Sequence, residues 1–360
     1  MSTAPVPAEQ QVGLIIRQRD PVNLEYPFDH LDEFLSPNDL FYIRSHFKAP
    51  VLDIDNYNLS IGGAVKAPFT ISYKELLAMP SVTRAATLEC AGNGRIFLVP
   101  QVKGAQWQLG GISTAEWTGV PLSALLTRAG VDPDACEILF EAADKGTPAE
   151  EPVPPGDTQY ARSLSLAKLD DVLIAYQMNG EEIPLDHGFP LRAIVPGHYG
   201  MASVKWLTGI RVLSEPFKGY WQTSDYGYWE YDEHKNPMRA ALGKMALKSA
   251  IARPRTREFV PAGESYRVFG AAWGSDTHVE KVELSTDDGE TWAPAIFLDE
   301  AKPFVWRRWE FDWHVPSEKG TYILKSRATD AQGNQQPDHH DKRFGTYVIN
   351  HTFGIEVMVR

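Results

Sequence analysis

The spacing of apolar and polar residues changes along the chain and divides it into two parts. From residue 28 to about residue 214, short strand patterns and short helix patterns alternate. Residues 72–78 are predicted to form a helix capped by Ser72, with Glu75 three residues further on as in a capping box. Residues 121–129 form a second short predicted helix. The first part is therefore expected to mix strands and helices.

After about residue 245 the pattern is that of strands alone. Residues 279–285 alternate apolar and polar positions and end in an Asp-Asp-Gly turn signal. Further strand patterns follow at intervals of roughly ten residues, which is typical of an antiparallel sandwich of immunoglobulin type. These predicted strands cover residues 266–273, 279–285, 306–313 and 321–329.

The predicted fold class is α+β, with a mixed α/β domain followed by an immunoglobulin-like β-sandwich. A chain of 360 residues is long enough to bury two cores of ordinary size. We place an N-terminal arm at residues 1–27, the mixed domain at 28–244 and the sandwich at 245–360.

The formal charge of the chain is −12, which argues against nucleic acid or an anionic membrane as a partner. A site for an anion would need a local cluster of cations and backbone N–H groups. No apolar run approaches the 18 residues of a membrane span, and the N-terminus lacks a signal core. We expect a cytoplasmic protein, although a trimmed periplasmic leader would leave the same sequence.

Cys90 lies in the segment with the clearest chemical signal, Leu-Glu-Cys-Ala-Gly-Asn-Gly-Arg at residues 88–95. Gly92 and Gly94 allow a tight turn and the close approach of a bulky group. Arg95 places positive charge beside the sulfur, which favours the thiolate, a ligand suited to a soft or high-valent metal. By spacing alone, a buried cysteine in a tight turn explains the segment equally well.

Several basic side chains lie at predicted strand ends and loops of this acidic chain. Arginine, lysine and histidine near glycines can form a cradle for a phosphate group. Each of them alone is more often a surface charge or a capped loop residue. The residues concerned are Arg44, His46, His187, Arg192 and Lys205.

A series of motifs in fixed order resembles the sulfite oxidase family, which includes plant nitrate reductases. The Cys-Ala-Gly-Asn-x-Arg core at residues 90–95 is similar to the molybdenum-ligand segment of that family. The resemblance covers roughly residues 38–230 and fits a dimerisation domain after them. The further matching segments are residues 102–104, 110–114, 117, 176–180, 186–190, 195–197, 204–207, 221–222 and 225–226.

The resemblance implies a molybdenum–molybdopterin cofactor and a role for each matching residue. Cys90 would be the single protein ligand to molybdenum. The pterin and its phosphate would be held by His46, Asp144, His187, Arg192, Ser203 and Lys205. The pocket for a small oxyanion would be lined by Arg44, Arg95, Trp107 and Tyr226.

The activity implied is the oxidation of sulfite to sulfate by oxygen-atom transfer, in a homodimer. No haem or flavin module accompanies the matching segments, so electrons would pass to a separate acceptor. One alternative is the same cofactor site acting on sulfane sulfur or a sulfoxide. Another, from a different class, is a non-enzymatic two-domain binding protein in which Cys90 is merely buried.

Three positions depart from the pattern of the family's eukaryotic members. Those members usually have asparagine at the position of Ser45 and a second arginine at the position of Gly94. A further pocket arginine near the C-terminus is expected to be replaced by Gly354. The pocket is therefore expected to be less positive, or to accept a different sulfur species.

Overall fold

The computed structural model describes residues 13–149 and 153–360, and strands dominate this part of the chain. In the described residues up to 241, fifteen strands and two α-helices form. The strands are β1 Ile15–Gln18, β2 Asn23–Glu25, β3 Ile43–Arg44, β4 Asn58–Gly63, β5 Phe69–Ser72, β6 Val82–Glu89, β7 Ile112–Pro121, β8 Glu137–Gly146, β9 Thr158–Ser165, β10 Leu173–Met178, β11 Glu181–Glu182, β12 Arg192–Ile194, β13 Leu207–Leu213, β14 Gly227–Tyr231 and β15 Pro237–Ala241. The helices are α1 Tyr73–Leu77 and α2 Leu122–Ala129.

Two five-stranded sheets organise this first part. One has the order β11-β10-β7-β6, with β12 also paired to β10. The other has the order β5-β4-β13-β8-β9, in which only the pairing of β4 with β13 is parallel. The apolar faces of both sheets are buried, and α2 buries its leucines in the same core. The turn that contains Cys90 follows β6, an edge strand that pairs with β7 along its whole length.

The remaining strands form a sandwich of two sheets, ordered β16-β18-β22-β21 and β17-β24-β23-β19-β20. Alternating buried positions such as Val279, Val282 and Leu284 meet Trp309 and Trp313 in the space between the sheets. This is the packing expected of strands with one apolar face. The strands are β16 Lys248–Arg253, β17 Phe259–Val260, β18 Ser265–Trp273, β19 Val279–Ser285, β20 Ala293–Pro294, β21 Ile296–Phe297, β22 Arg307–His314, β23 Gly320–Asp330 and β24 Ile355–Val359.

The sandwich shares a core with the first part instead of hanging from it by a linker. Trp107 and Trp117 of the first part lie in one buried cluster with Trp273 and Trp306 of the sandwich. Trp306 also donates its indole N–H to the carbonyl oxygen of Phe34, at 2.8 Å. Large aromatic contacts of this kind bury much apolar surface. The sandwich is thus packed directly behind the strand that leads to Cys90.

Both predicted helices are confirmed, but helices make up little of the chain. In α1 the Ser72 hydroxyl accepts from the Glu75 amide, and the Glu75 carboxylate accepts from the Ser72 amide, which completes the capping box. The helix α2 ends at Gly130, which has a left-handed conformation. With only two short α-helices in the described residues, the α+β description is not confirmed in detail. The domain limits stay a prediction, and residues 1–12 of the predicted arm lie outside the described residues.

Gly119 tests the close packing of β7 against β10. A methyl group on Gly119 would meet the carbonyl oxygen of Ile174 and lie 2.6 Å from the Cα of Ala175. Because backbone atoms cannot move aside cheaply, we expect Gly119→Ala to lower the free energy of unfolding by about 2 kcal/mol or more. Calorimetric melting temperatures measure the effect. Gly13→Ala is the control, since no described atom lies within 4 Å of the new methyl; equal melting temperatures for the two variants would contradict the packing.

Candidate active site

Cys90 is placed by a turn that immediately follows β6. The Cys90 amide donates to the carbonyl oxygen of Gly111 at 2.8 Å, and the Cys90 carbonyl accepts from the Asn93 amide at 2.8 Å. Gly94 closes the turn with φ of +93°, a conformation that side chains rarely adopt. The Cys90 side chain is 7% exposed. The backbone thus holds the sulfur in one place while leaving one side of it accessible.

Burial decides the protonation of the Cys90 thiol more than the neighbouring arginines do. Burial raises the pKa of Cys90 above its ordinary value, whereas Arg44 and Arg95 lower this pKa by Coulombic attraction. The expectation that Arg95 favours the thiolate is right in sign, but burial outweighs its effect. A bound metal would overcome this, because a thiol that coordinates a metal loses its proton.

Two cavities meet at the Cys90 sulfur. The inner one, of about 60 Å³, is lined mostly by buried residues, several of them from the two sheets, and the outer one, of about 430 Å³, includes exposed residues such as Lys103 in its lining. Residues that line both cavities are Arg44, His46, Cys90 and Tyr226. The inner cavity is also lined by Tyr42, Asp144, Tyr160, Asp186, His187, Arg192, Ser203 and Lys205. A group bound to the sulfur could therefore extend inward while its other side faces the outer cavity.

Basic side chains at the inner end are held by backbone carbonyls instead of carboxylates. Arg192 donates to the carbonyl oxygens of His187 and Ser203, at 2.7 and 3.1 Å. Lys205 donates to the carbonyl oxygen of Asp186 at 2.8 Å and to the hydroxyl of Ser45 at 2.9 Å. Arg192 is buried, and its Nε has no hydrogen-bond partner among the described residues. Such a site retains positive charge that a bound anion can neutralise.

The pKa values of the inner residues reflect their burial first and the neighbouring charges second. Burial and Arg192 lower the pKa of Lys205 to about 7. Burial and the same arginine lower the pKa of His187 to about 3, which keeps its imidazole neutral. Burial raises the pKa of Asp144 to about 6, against the attraction of Lys205. A phosphate bound in the cavity would raise the pKa of each of the three groups, because its negative charge favours their protonated forms.

Tyr226 and His46 form a hydrogen-bonded pair where the cavities meet. The Tyr226 hydroxyl and His46 Nε2 are 2.8 Å apart. The His46 ring lies against Tyr160 and Trp221, with ring centroids 5.0 and 4.4 Å away. Burial, assisted by Arg44, lowers the pKa of His46 well below its ordinary value. The imidazole is therefore neutral, and its tautomer decides whether Nε2 accepts from the phenol or donates to it.

The two pocket arginines are fixed by main-chain oxygens. Arg95 donates to the carbonyl oxygens of Thr346 and Ala105, at 3.2 and 2.9 Å. A Cβ on Gly104 would lie 2.6 Å from an Arg95 nitrogen, so the glycine makes room for the guanidinium group. Arg44 donates to the carbonyl oxygen of Ser45 and to the side chain of Asn23. Their remaining N–H groups are the donors available to an oxyanion.

The structure brings ten of the eleven residues predicted for the site to the walls of these two cavities. Trp107 is the exception. Its side chain is fully buried and packs edge-on against Tyr42, which lines the inner cavity, with ring centroids 6.2 Å apart. Trp107 thus lies one layer behind the pocket.

Gly354 is not a pocket residue, and this correction concerns the expected replacement of a family arginine. A Cβ on Gly354 would meet Ile323 within the sandwich. The C-terminal residues that reach the outer cavity are Thr346 and Tyr347. The ring centroid of Tyr347 lies 5.1 Å from that of Tyr226 and 5.3 Å from the Arg95 guanidinium carbon. No motif in the sequence pointed to Tyr347, because it lies in an irregular connection between β23 and β24.

Comparison with known proteins assigns both parts of the chain. Residues 46–221 match the family described as Oxidoreductase molybdopterin binding domain, and residues 239–359 match the Mo-co oxidoreductase dimerisation domain. Sulfite oxidase of Gallus gallus is 37% identical over 349 residues, which is 91% of this chain and 73% of that protein. Mitochondrial sulfite oxidase of Rattus norvegicus is 35% identical, over 91% of this chain and 62% of the rat protein.

A solved structure shows the same fold. The sulfane dehydrogenase SoxCD from Paracoccus pantotrophus superposes with a TM-score of 0.83 and 27% identity, over 98% of this chain and 90% of that one. The two-domain architecture is thus that of molybdopterin-dependent oxidoreductases. The chain belongs to the sulfite oxidase family, and it is a molybdenum enzyme of that type. Membership of an enzyme family argues against the non-enzymatic binding protein.

The residues present fit the molybdenum–molybdopterin cofactor that this family membership implies. The sulfur of Cys90 is a suitable soft ligand at the junction of the cavities. The unpartnered Nε of Arg192 and the crowded ammonium group of Lys205 suit a phosphate at the inner end. The match to the dimerisation domain supports a homodimer. Across residues 13–149 and 153–360, no helix is both long enough and apolar enough to span a bilayer.

Lys205 provides a pH-dependent test of the inner site. Its ammonium group loses its proton as pH rises through about 7, so affinity for a phosphate-bearing cofactor should fall between about pH 6 and pH 9. We expect Lys205→Met to bind the cofactor about tenfold more weakly at pH 6 and to lose much of the pH dependence. Molybdenum per chain after dialysis measures this. The exposed Lys74→Met is the control; a Lys205→Met protein that retains metal like the wild type would contradict the assignment.

Proposed function

We propose that the chain oxidises sulfite to sulfate and passes the electrons to a separate acceptor. The observation that carries the proposal is the position of the Cys90 sulfur, at the junction of the two cavities and within the electrostatic reach of Arg44 and Arg95. The resemblance to sulfite oxidases at 35–37% identity supports the same substrate. We further propose Cys90 as the protein ligand to molybdenum, with the inner basic residues holding the pterin phosphate.

The protein's contribution to this reaction is to bind and orient the anion. Arg44 and Arg95 have fixed guanidinium groups at the outer cavity, and charge-assisted hydrogen bonds from them would hold a sulfite dianion. Their positions are set by carbonyl oxygens before any substrate arrives, so little reorganisation is needed. When bound, the cofactor supplies oxygen-atom transfer and takes up the two electrons. Sulfite brings its own lone pair, so no general base is required for the attack.

Tyr226 and His46 would contribute to the same anion site. Burial keeps the pKa of Tyr226 above its ordinary value, so the phenol keeps its proton and can donate a hydrogen bond to the bound oxyanion. The neutral imidazole of His46 lies 2.8 Å from that hydroxyl, and in the tautomer with the hydrogen on Nε2 it would donate to the phenolic oxygen and leave the phenolic hydrogen for the oxyanion. Trp107 would act through Tyr42, as packing behind the pocket wall. The electron acceptor and the cytoplasmic location stay predictions.

A second candidate activity uses the same cofactor site on sulfane sulfur. Three observations favour it. The outer cavity, at about 430 Å³, is far larger than one small oxyanion requires, and Tyr347 presents a neutral aromatic ring beside Arg95. One solved structure with the same fold is that of a sulfane dehydrogenase. An elongated sulfur compound could therefore enter the outer cavity, and a direct assay decides between the two substrates.

Purified holoenzyme should oxidise sulfite with ferricyanide as electron acceptor and should act far more slowly on thiosulfate or a persulfide. Cys90→Ser should lose turnover, by about a thousandfold or more, because a hydroxyl is a poor substitute for a soft thiolate ligand. Cys136→Ser is the matched control, since Cys136 is outside both cavities. Efficient oxidation of the persulfide with no sulfite activity would establish the second candidate, and a fully active Cys90→Ser would refute the ligand assignment.

Arg95→Gln tests the oxyanion pocket. The variant keeps a polar side chain but is shorter and carries no charge, so we expect the KM for sulfite to rise about 10- to 100-fold, with a smaller change in kcat. Steady-state kinetics at fixed ionic strength measure the changes in KM and kcat separately. Arg84→Gln is the control, because Arg84 is partly exposed on β6 and pairs with Asp171 on the surface. An unchanged KM in Arg95→Gln would mean that the substrate binds elsewhere.

A further inference from the structure

Glu89, the residue directly before Cys90, is buried and bound by the sandwich. Its side chain is 2% exposed. One carboxylate oxygen, Oε1, accepts from the ammonium group of Lys248 at 3.2 Å, and the other, Oε2, accepts from the indole N–H of Trp273 at 2.9 Å. Both donors come from the dimerisation domain. We call Glu89, Lys248 and Trp273 the interdomain clamp.

The two donors of the clamp are held at a fixed separation by the sheet in which they lie. Lys248 begins β16, Trp273 ends β18, and the two residues are directly paired across these antiparallel strands. Lys248 is 1% exposed and Trp273 is fully buried. Cross-strand partners have little freedom to move independently. Both carboxylate oxygens of Glu89 therefore accept hydrogen bonds from one pair of adjacent strands in the sandwich.

Asn93 connects the clamp by hydrogen bonds to the turn that contains Cys90. Its amide nitrogen donates to Glu89 Oε1 at 3.1 Å, and its amide oxygen accepts from the Gly111 N–H at 3.0 Å. Its backbone carbonyl accepts from Lys248 at 3.0 Å. The Cys90 carbonyl and amide are bonded to Asn93 and Gly111, as described above. These hydrogen bonds restrain Glu89, which precedes Cys90, and the two residues that are hydrogen-bonded to the Cys90 backbone.

Gly94 also belongs to this arrangement. A Cβ at Gly94 would lie 3.2 Å from a methyl group of Ile349 and 3.4 Å from the Lys248 nitrogen. A larger side chain there would press on the ammonium group and on its bond to Glu89. Glycine at this position, which also has a φ of +93°, thus leaves the neighbouring space to the lysine.

We propose that Lys248 and Trp273 are positioning residues for the Cys90 sulfur, so that the dimerisation domain sets the geometry of the metal site. The ion pair is buried, and such a pair requires accurate geometry and satisfied hydrogen bonds to be stable. Residues that orient a metal ligand from behind typically change activity or metal affinity by 10- to 100-fold when they are replaced. The inference rests on the proposed ligation by Cys90 and not on sulfite being the substrate.

Trp273→Phe is the sharpest variant for testing the clamp. It keeps an aromatic ring in the core and removes the N–H donor to Glu89 together with part of the ring volume. In the holoenzyme we expect kcat to fall about tenfold, the substrate KM to stay within about twofold, and the thiolate-to-metal absorption band to shift. A second variant, Lys248→Met, should shift the same band further, because it leaves the buried Glu89 carboxylate without its cation.

Trp309→Phe is the matched control. Trp309 is also fully buried in the sandwich, but its indole N–H has no partner among the described residues. Replacing it should lower the melting temperature to a similar extent while leaving the absorption band and kcat as in the wild type. Should Trp273→Phe and Trp309→Phe prove alike in band position and in kcat, the clamp is only structural and the proposal is wrong. If Lys248→Met does not fold, this comparison alone decides.

The absorption band is recorded during chemical oxidation and reduction of the protein, without any sulfur substrate. A failure of sulfite as substrate would therefore leave this test intact. Absence of the band in wild-type holoenzyme would instead refute the ligation by Cys90, and the positioning role with it. A shifted band in Trp273→Phe supports the clamp whichever sulfur compound is oxidised.

Discussion

Keeping a sulfur atom and several cations buried at one point, held mainly by hydrogen bonds to backbone carbonyls, is the constraint on which the rest of the structure depends. Burial works against the thiolate of Cys90 and against the ammonium group of Lys205. The protein tolerates these groups because backbone carbonyls hold Arg95, Arg192 and Lys205 in place. The site is in this sense prepared for a cofactor that brings both a metal and negative charge.

Both domains supply residues to this site. The first part supplies the sulfur and the basic residues from turns at the ends of its strands. The sandwich supplies Tyr347 at the outer cavity and the clamp on Glu89 behind the turn. Because a common aromatic core joins the two parts, the position of the sandwich and the position of the sulfur are coupled. A domain named for dimerisation thus has a second role within the chain.

Local signals were predictable from sequence where one short segment contains all the interacting groups. The capping box of α1 involves only Ser72 and Glu75, and the turn at residues 90–95 is contained in six residues, so both could be recognised directly. Several pocket residues were found through the ordered motifs of the family. The two-sheet sandwich followed from alternation, whereas the small share of helix did not follow from periodicity alone.

Long-range placement could not be predicted in the same way. Lys248 contacts Glu89 across 159 positions of the chain, and nothing in its own neighbourhood distinguishes it from a surface lysine. The replacement of a family arginine was assigned to Gly354, but the fold brings Tyr347 to the pocket. The effect of Arg95 on the thiol was overestimated because a sequence does not reveal the degree of burial. Trp107 was placed at the pocket surface for the same reason.

The most direct test of this account is X-ray absorption at the molybdenum edge, which counts the sulfur atoms bound to the metal. Wild-type holoenzyme and the Cys90→Ser protein would be measured under identical oxidising conditions. The account predicts that the variant has one metal-bound sulfur fewer than the wild type. Identical sulfur counts in the two proteins would contradict the central claim that Cys90 binds molybdenum.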